Sequence, residues 1–182
     1  MKEENVKLTS RLADISDTEI IKKMMAYSIK ELLKPYLSRT QIKASYESMG
    51  FDKQLIHDKT YFILNMKDIV VGCGGWSKRK TLFGGNHTKN RDDTCLDPEH
   101  DAARIRAMYT HPEWTRRGVG KMIIELSERG ASSEGFKKIE LMATLAGEPL
   151  YKSCGYTVVE ETEFLSSKGI KVPLKKMVKD IS

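Results

Sequence analysis

The residues most able to do chemistry lie in one short run, Thr115-Arg116-Arg117-Gly118-Val119-Gly120-Lys121. Two arginines and a lysine bring positive charge. The two glycines carry no Cβ, so backbone N–H groups there can be approached closely by a ligand. The segment from Val119 onward reads as a helix start, whose first N–H groups have no intrahelical partner and carry partial positive charge. Together these features make an anion site, most naturally one for phosphates. A plain strand–loop–helix crossover with solvated basic residues is the competing reading, because Gly-x-Gly loops are common.

Two familiar phosphate motifs are excluded by spacing. A P-loop needs glycine five residues before Gly120 and Ser or Thr after Lys121, where this chain has Thr115 and Met122. A dinucleotide fingerprint needs a third small residue three after Gly120, and that residue is Ile123.

The flanking elements must hold this loop. Val119, Met122, Ile123, Leu126 and Gly130 fall on one face of a helix, with Lys121, Glu125 and Glu128 opposite. Upstream, Ala103–Thr110 alternates as a strand, predicting Ile105, Ala107 and Tyr109 on one face and Arg104, Arg106 and Met108 on the other. Lys138–Thr144 reads as the next strand. Gly147–Cys154 reads as a short helix with Pro149 in its first turn and Gly155 as terminator.

The remaining chain completes a layered domain. Val6–Leu12 reads as a strand. Ser16-Asp17-Thr18-Glu19 is a capping box opening a helix that carries Ile21, Met24, Met25, Ser28 and Leu32 and ends at Pro35. Ser38-Arg39-Thr40-Gln41 is a second box, opening a helix with Ile42, Tyr46 and Met49 and closed by Gly50. Tyr61–Met66 and Ile69–Trp76 form a hairpin around Lys67-Asp68. The pair Gly74-Gly75 suggests close backbone approach or a bulge, and small residues there leave either room for a ligand beside the sheet or simple tight packing. Tyr156–Thr162 and Ile170–Val178 form a last antiparallel pair. The expected architecture is α/β (α+β): a mixed, mostly antiparallel sheet of about seven strands flanked by about four helices. Residues 1–182 read as one domain.

Composition narrows the classes. With 40% hydrophobic and 31% charged residues, the chain is globular rather than disordered. No apolar run approaches a membrane span, and the start Met1-Lys2-Glu3-Glu4-Asn5 lacks the apolar core of a signal peptide. Cys73, Cys95 and Cys154 are odd in number without metal spacing, which points to a reducing, cytoplasmic setting. The net charge of +6 is spread among acids rather than interleaved with aromatics, so nucleic acid is disfavoured as a partner. The polar stretch from Arg79 to Asp101 holds His87, His100 and several aspartates in no recognised ligand pattern, so no metal is expected. Its length makes it a candidate cover for one end of a cleft. The sequence leaves a homodimer open.

Met108-Tyr109-Thr110-His111-Pro112-Glu113 followed by Thr115-Arg116-Arg117-Gly118-Val119-Gly120 resembles the GNAT superfamily of acetyl-CoA-dependent N-acetyltransferases. Their pyrophosphate loop reads Gln/Arg-x-x-Gly-x-Gly/Ala, and here Thr115 departs at the first position. Leu150-Tyr151-Lys152-Ser153-Cys154-Gly155-Tyr156 is similar to the family's Phe-Tyr-x-x-x-Gly-Phe segment. The resemblance is strongest from about Ala103 to Tyr156. It implies acetyl-CoA as co-substrate, with its pantetheine arm paired to backbone groups of Met108, Tyr109 and Thr110. Its pyrophosphate would lie on the amides of Arg116, Arg117, Gly118, Val119, Gly120 and Lys121. It implies Tyr151 as the proton donor to the leaving thiolate, and an amine of a small molecule or protein as acceptor. Tyr27, Tyr36 and Tyr46 become candidates for an acceptor pocket, though a core or rim position is the commoner role of such tyrosines. No general base is assigned among Glu99, His100 and Asp101, and His111 reads as a turn residue. A non-catalytic acyl-CoA-binding module on the same fold is the alternative.

Overall fold

The computed structural model describes residues 7–181. Its strands are β1 (Leu8–Leu12), β2 (Tyr61–Met66), β3 (Ile69–Ser77), β4 (Ala103–Thr110), β5 (Lys138–Thr144), β6 (Thr157–Leu165) and β7 (Lys171–Asp180). They form one seven-stranded sheet in the order β1-β2-β3-β4-β5-β7-β6. The expected mixed, mostly antiparallel sheet is therefore present. β4 and β5 run parallel while the other neighbours run antiparallel. Their ladder is short: Ala103 pairs with Ile139 and Arg104 with Glu140, and beyond that point the two strands part. Val6, expected in the first strand, lies outside the described residues.

Helices α1 (Thr18–Leu32), α2 (Arg39–Ser48) and α3 (Lys53–His57) cover one face. Their core joins Ile21, Met25, Ile29 and Leu55 to Ile63, Cys73 and Tyr109 of the sheet. Helices α4 (Val119–Ser133) and α5 (Glu148–Ser153) lie on the other face. There Val119 and Ile123 pack on Leu64 and Val71, and Ile124 and Tyr151 pack with Ile105, Ile139 and Leu141. Among the described residues the α-helices number five, against about four expected. The extra one, α3, has five residues capped by the Asp52 side chain, too short to show a 3.6-residue period.

Two caps differ in outcome. At α2 the Ser38–Gln41 box forms as expected. At α1 the box sits two residues earlier than Ser16: Asp14 caps a single 3-10 turn, Ile15–Asp17, and Asp17 returns to the Asp14 backbone. A carboxylate is a stronger acceptor than a hydroxyl, and Arg11 grips both oxygens of Asp17 at 2.7 and 2.6 Å.

The faces of β4 also need correction. Cys73 pairs with Tyr109 but Gly75 pairs with Arg106, so β4 holds one extra residue there. This is a β-bulge, and Ala107 takes φ +50° within it. For an alanine that costs about 1–2 kcal/mol. The extra residue reverses the alternation past Arg106. Ile105 and Met108 face the α4–α5 side, whereas Arg106 and Tyr109 face α1–α3.

Two other expectations shift. The buried stripe of α4 is Val119, Gly120, Ile123, Ile124, Ser127 and Ala131, so Met122 and Leu126 sit at its margin. Glu128, expected outside, accepts from the Tyr156 hydroxyl and Lys179. Of the two readings for the β3 glycines, close packing holds. A Cβ on Gly75 would lie 2.0 Å from the Thr60 carbonyl, and one on Gly74 2.7 Å from Met108 Cγ.

Candidate active site

The parting of β4 and β5 opens a cleft of about 750 Å³ through the middle of the molecule. Its walls are β4 from Ile105 to Thr110 and β5 at Leu141, Met142 and Thr144. His111 N–H donates to the Val71 carbonyl of β3 at 2.9 Å. By the alternation of backbone groups along a strand, Tyr109 likewise addresses β3, and the C=O of Met108 and both backbone groups of Thr110 point into the gap. The Tyr109 side chain turns away into the α1–α3 core, and burial raises its phenol above the ordinary value.

At one end of the cleft the chain turns through a 3-10 helix, Pro112–Trp114, into α4. His111 caps that turn by accepting from the Glu113 N–H, and the Tyr27 ring meets it edge-on at 5.2 Å. Arg116 and Gly118 have φ of +62° and +82°. These left-handed residues curl the chain so that its N–H groups face outward together. Among the described residues, none of the amides from Arg116 to Lys121 donates to another backbone carbonyl, and the first helical bond comes from Met122 to Gly118. The two glycines serve different needs. A Cβ on Gly118 would meet nothing within 4 Å, so glycine is needed there for its conformation. A Cβ on Gly120 would lie 2.4 Å from Leu150 Cδ2, so glycine is needed there for close contact between α4 and α5.

The side chains of the loop divide. Arg116, Gly118, Val119, Gly120 and Lys121 line the cleft. The Arg117 guanidinium instead stacks over the Trp114 ring, 4.7 Å from its centroid, and is not among the lining residues. Trp114, Thr115 and Leu150 do line it and were not foreseen. Such a set of free amides at a buried helix start, with cations at its rim, fits a diphosphate.

Tyr151 lies deep in the cleft wall. Its hydroxyl points at Met108 Sδ, 3.6 Å away, and its ring meets Tyr156 edge-on. Burial raises this phenol above its usual value, so it keeps its proton. Bringing Tyr151 next to Met108 depends on the bulge, because simple alternation would put Met108 on the opposite face.

The other end of the cleft is walled by Ser28, Leu32, Leu33 and Tyr36 around the end of α1, and by Leu82, Phe83 and Gly84. The latter belong to the long loop after β3. That loop is pinned from beneath: Arg106 donates to the Thr81 and Gly84 carbonyls and to Asp52 Oδ2, at 2.8–2.9 Å. Arg91 joins the same Asp52 oxygen at 3.0 Å. Of the three tyrosines considered for an acceptor pocket, Tyr36 lines the cleft. Tyr46 bonds the Ala26 carbonyl and Tyr27 covers His111. Glu31 is the carboxylate among the lining residues; Glu99, His100 and Asp101 are not in the lining. The signal for Arg106 was weak, because Arg104 is a second arginine in the same strand.

The sequence matches the model of the Acetyltransferase (GNAT) family over residues 26–156. The chain belongs to the GNAT acetyltransferase family. No curated protein sequence matches it. Solved GNAT structures share its fold at low identity. A GCN5-related N-acetyltransferase from Rhodopseudomonas palustris is 17% identical, with a TM-score of 0.70 and 94% of each chain covered. The Salmonella typhimurium protein yncA, solved with its cofactor acetyl-CoA, is 16% identical, with a TM-score of 0.64 and coverage of 97% of this chain and 95% of that one. The paia N-acetyltransferase of Thermoplasma acidophilum, in complex with coenzyme A, is 14% identical, with a TM-score of 0.61 and coverage of 96% and 99%.

Proposed function

We propose that this chain is an acetyl-CoA-dependent N-acetyltransferase acting by direct attack of a primary amine on the thioester. The observation that carries the reading is the gap between β4 and β5. It leads from unpartnered amides at the start of α4 to a buried, protonated Tyr151 beside Met108.

In this reading the amides from Arg116 to Lys121 hold the pyrophosphate of acetyl-CoA, with Arg116 and Lys121 at its rim. The backbone of Met108 and Thr110 pairs with the pantetheine arm, as a missing strand would. This aims the acyl carbon at the end of the cleft under Tyr36, Leu82 and Phe83, where the acceptor enters. The acceptor nitrogen forms the new C–N bond as the C–S bond breaks, and the proton on nitrogen passes to solvent. The Met108 N–H faces the thioester oxygen and stabilises its developing charge. The Tyr151 hydroxyl donates its proton to the leaving sulfur. Positioning and electrostatics do the rest.

The acceptor end is mainly apolar, with Glu31 as the carboxylate at its wall. That lining favours an amine on an apolar body, whether free or at a protein terminus, over a polycation. The cysteines are free, with Cys73 buried, in keeping with a reducing cytoplasmic setting.

The test is release of free thiol from acetyl-CoA across a panel of apolar monoamines, peptides with apolar first residues, polyamines and aminoglycosides. Turnover with the first two groups is expected. Tight acetyl-CoA binding with no turnover on any amine would instead support a non-catalytic acyl-CoA-binding module.

A further inference from the structure

Tyr61 takes no part in the site described above, and it is absent from the lining of the cleft. It is nonetheless tied to the centre of the site from two strands away. Its hydroxyl, on a ring only 3% exposed, donates to the Ala107 carbonyl at 2.7 Å. Tyr61 pairs with Gly75, and Gly75 pairs with Arg106, so no side chain stands between Tyr61 and β4 in that row. Its other polar neighbour is the Cys73 thiol, which burial pushes up to about 12 and so keeps neutral.

Ala107 is the bulge residue, in a left-handed conformation that alanine disfavours. Something must hold it. The peptide between Ala107 and Met108 is planar and trans, so its C=O and N–H point in opposite directions. Anchoring the carbonyl toward the α1–α3 face turns the Met108 N–H the other way. That is the side on which Met108 Sδ meets the Tyr151 hydroxyl.

We propose that Tyr61 is a positioning residue for acyl transfer: by holding the Ala107 carbonyl it locks the bulge and fixes the direction of the Met108 N–H toward the thioester oxygen. The inference rests on the acetyltransferase reading above. A buried carbonyl needs a partner in any case, so the alternative is that Tyr61 merely satisfies it and supports the core.

The experiment compares the full chain with Tyr61→Phe, Ala107→Gly and the double variant. Glycine adopts the left-handed conformation without penalty. A tether that works by holding that conformation therefore becomes partly dispensable when residue 107 is glycine. For an amine that is turned over, Tyr61→Phe should lower kcat by about tenfold or more. KM for the amine and Kd for acetyl-CoA should stay within about twofold. The double variant should recover most of the lost kcat. In parallel, the Met108 amide proton is followed by NMR during titration with acetyl-CoA. Its downfield shift should be present in the parent, diminished in Tyr61→Phe and restored in the double variant.

A Tyr61→Phe variant that melts earlier but keeps kcat below its melting range would overturn the proposal, as would a kcat loss that Ala107→Gly does not relieve. If acetyl-CoA binds but no amine is acetylated, the catalytic reading fails and the Met108 shift alone decides whether Tyr61 aims that amide. An absence of acetyl-CoA binding overturns both.

Discussion

A phenol is useful to a leaving thiolate only while it holds its proton. Tyr151 is buried against Met108 and Tyr156, and burial raises its titration above the ordinary value of 10.0. In the proposed mechanism the neutral form is the active one, and burial favours it, so any loss of activity through Tyr151 should begin only above about pH 10. Turnover should therefore show no alkaline limb from this residue between pH 7 and 9. Tyr151→Phe keeps the ring and its packing but removes the proton. It should lower kcat by about a hundredfold while leaving acetyl-CoA affinity, measured by calorimetry, nearly unchanged. A kcat that survives this change would remove Tyr151 from the mechanism. Its place in the cleft wall was legible in the chain because it sits in a recognisable Tyr-x-x-x-Gly-Tyr run. Its neighbour was not. Nothing about Ala107 announces a bulge, since the residue most expected at a positive φ is glycine. Its carbonyl accepts from Tyr61, a partner 46 positions away.

The loop and α4 form one unit, and in the proposed site their two glycines should separate binding from packing. Gly118→Ala meets open space, so its cost is conformational, about 1 kcal/mol. It should weaken acetyl-CoA binding more than it lowers the melting temperature. Gly120→Ala drives a methyl into Leu150 and should cost about 1–3 kcal/mol of stability. Shortening Leu150 to alanine in the same chain should return part of that loss; thermal melts of the single and double variants check it. The entrance to α1 has its own signature. Hydrogen bonds from Arg11 lower the Asp17 carboxyl below its ordinary value, against the effect of burial. A lowered carboxylate contributes stability above its unfolded value, near pH 4, and that contribution is lost as pH falls through the folded value. Asp17→Asn should therefore destabilise at pH 7, by about 1 kcal/mol given the half-exposed Arg11. The gap from the parent should close in acid melts below about pH 4. The Ser38 cap was legible in the chain because a Ser and Gln at that spacing act locally. The Asp14 box is just as local, with Ser16 N–H donating to Asp14 and Asp14 N–H to Asp17, but it carries Asp at its third position where the usual signature has Glu or Gln, so it did not stand out.

At the scale of the molecule, the sheet was predictable because the periodic elements, and the turns between them, were strong. How β4 and β5 separate was not, since no short pattern encodes two strands that pair twice and then diverge. That divergence gives the protein two inner margins where a continuous sheet would have none. An unpaired strand border is normally confined to the periphery, where it is open to solvent and able to recruit another extended chain. Here such borders lie between β4 and β5, with three strands beyond them on one side and two on the other. Deuterium should therefore enter at the middle of the sheet as well as at its rim: amides of Met108 and Thr110 should label nearly as fast as those at the outer border of β1, while the core residues Leu64 and Val71 stay protected. Saturating acetyl-CoA should slow the central labelling and leave β1 unchanged, as expected of an extended ligand that closes the seam by hydrogen bonding along it.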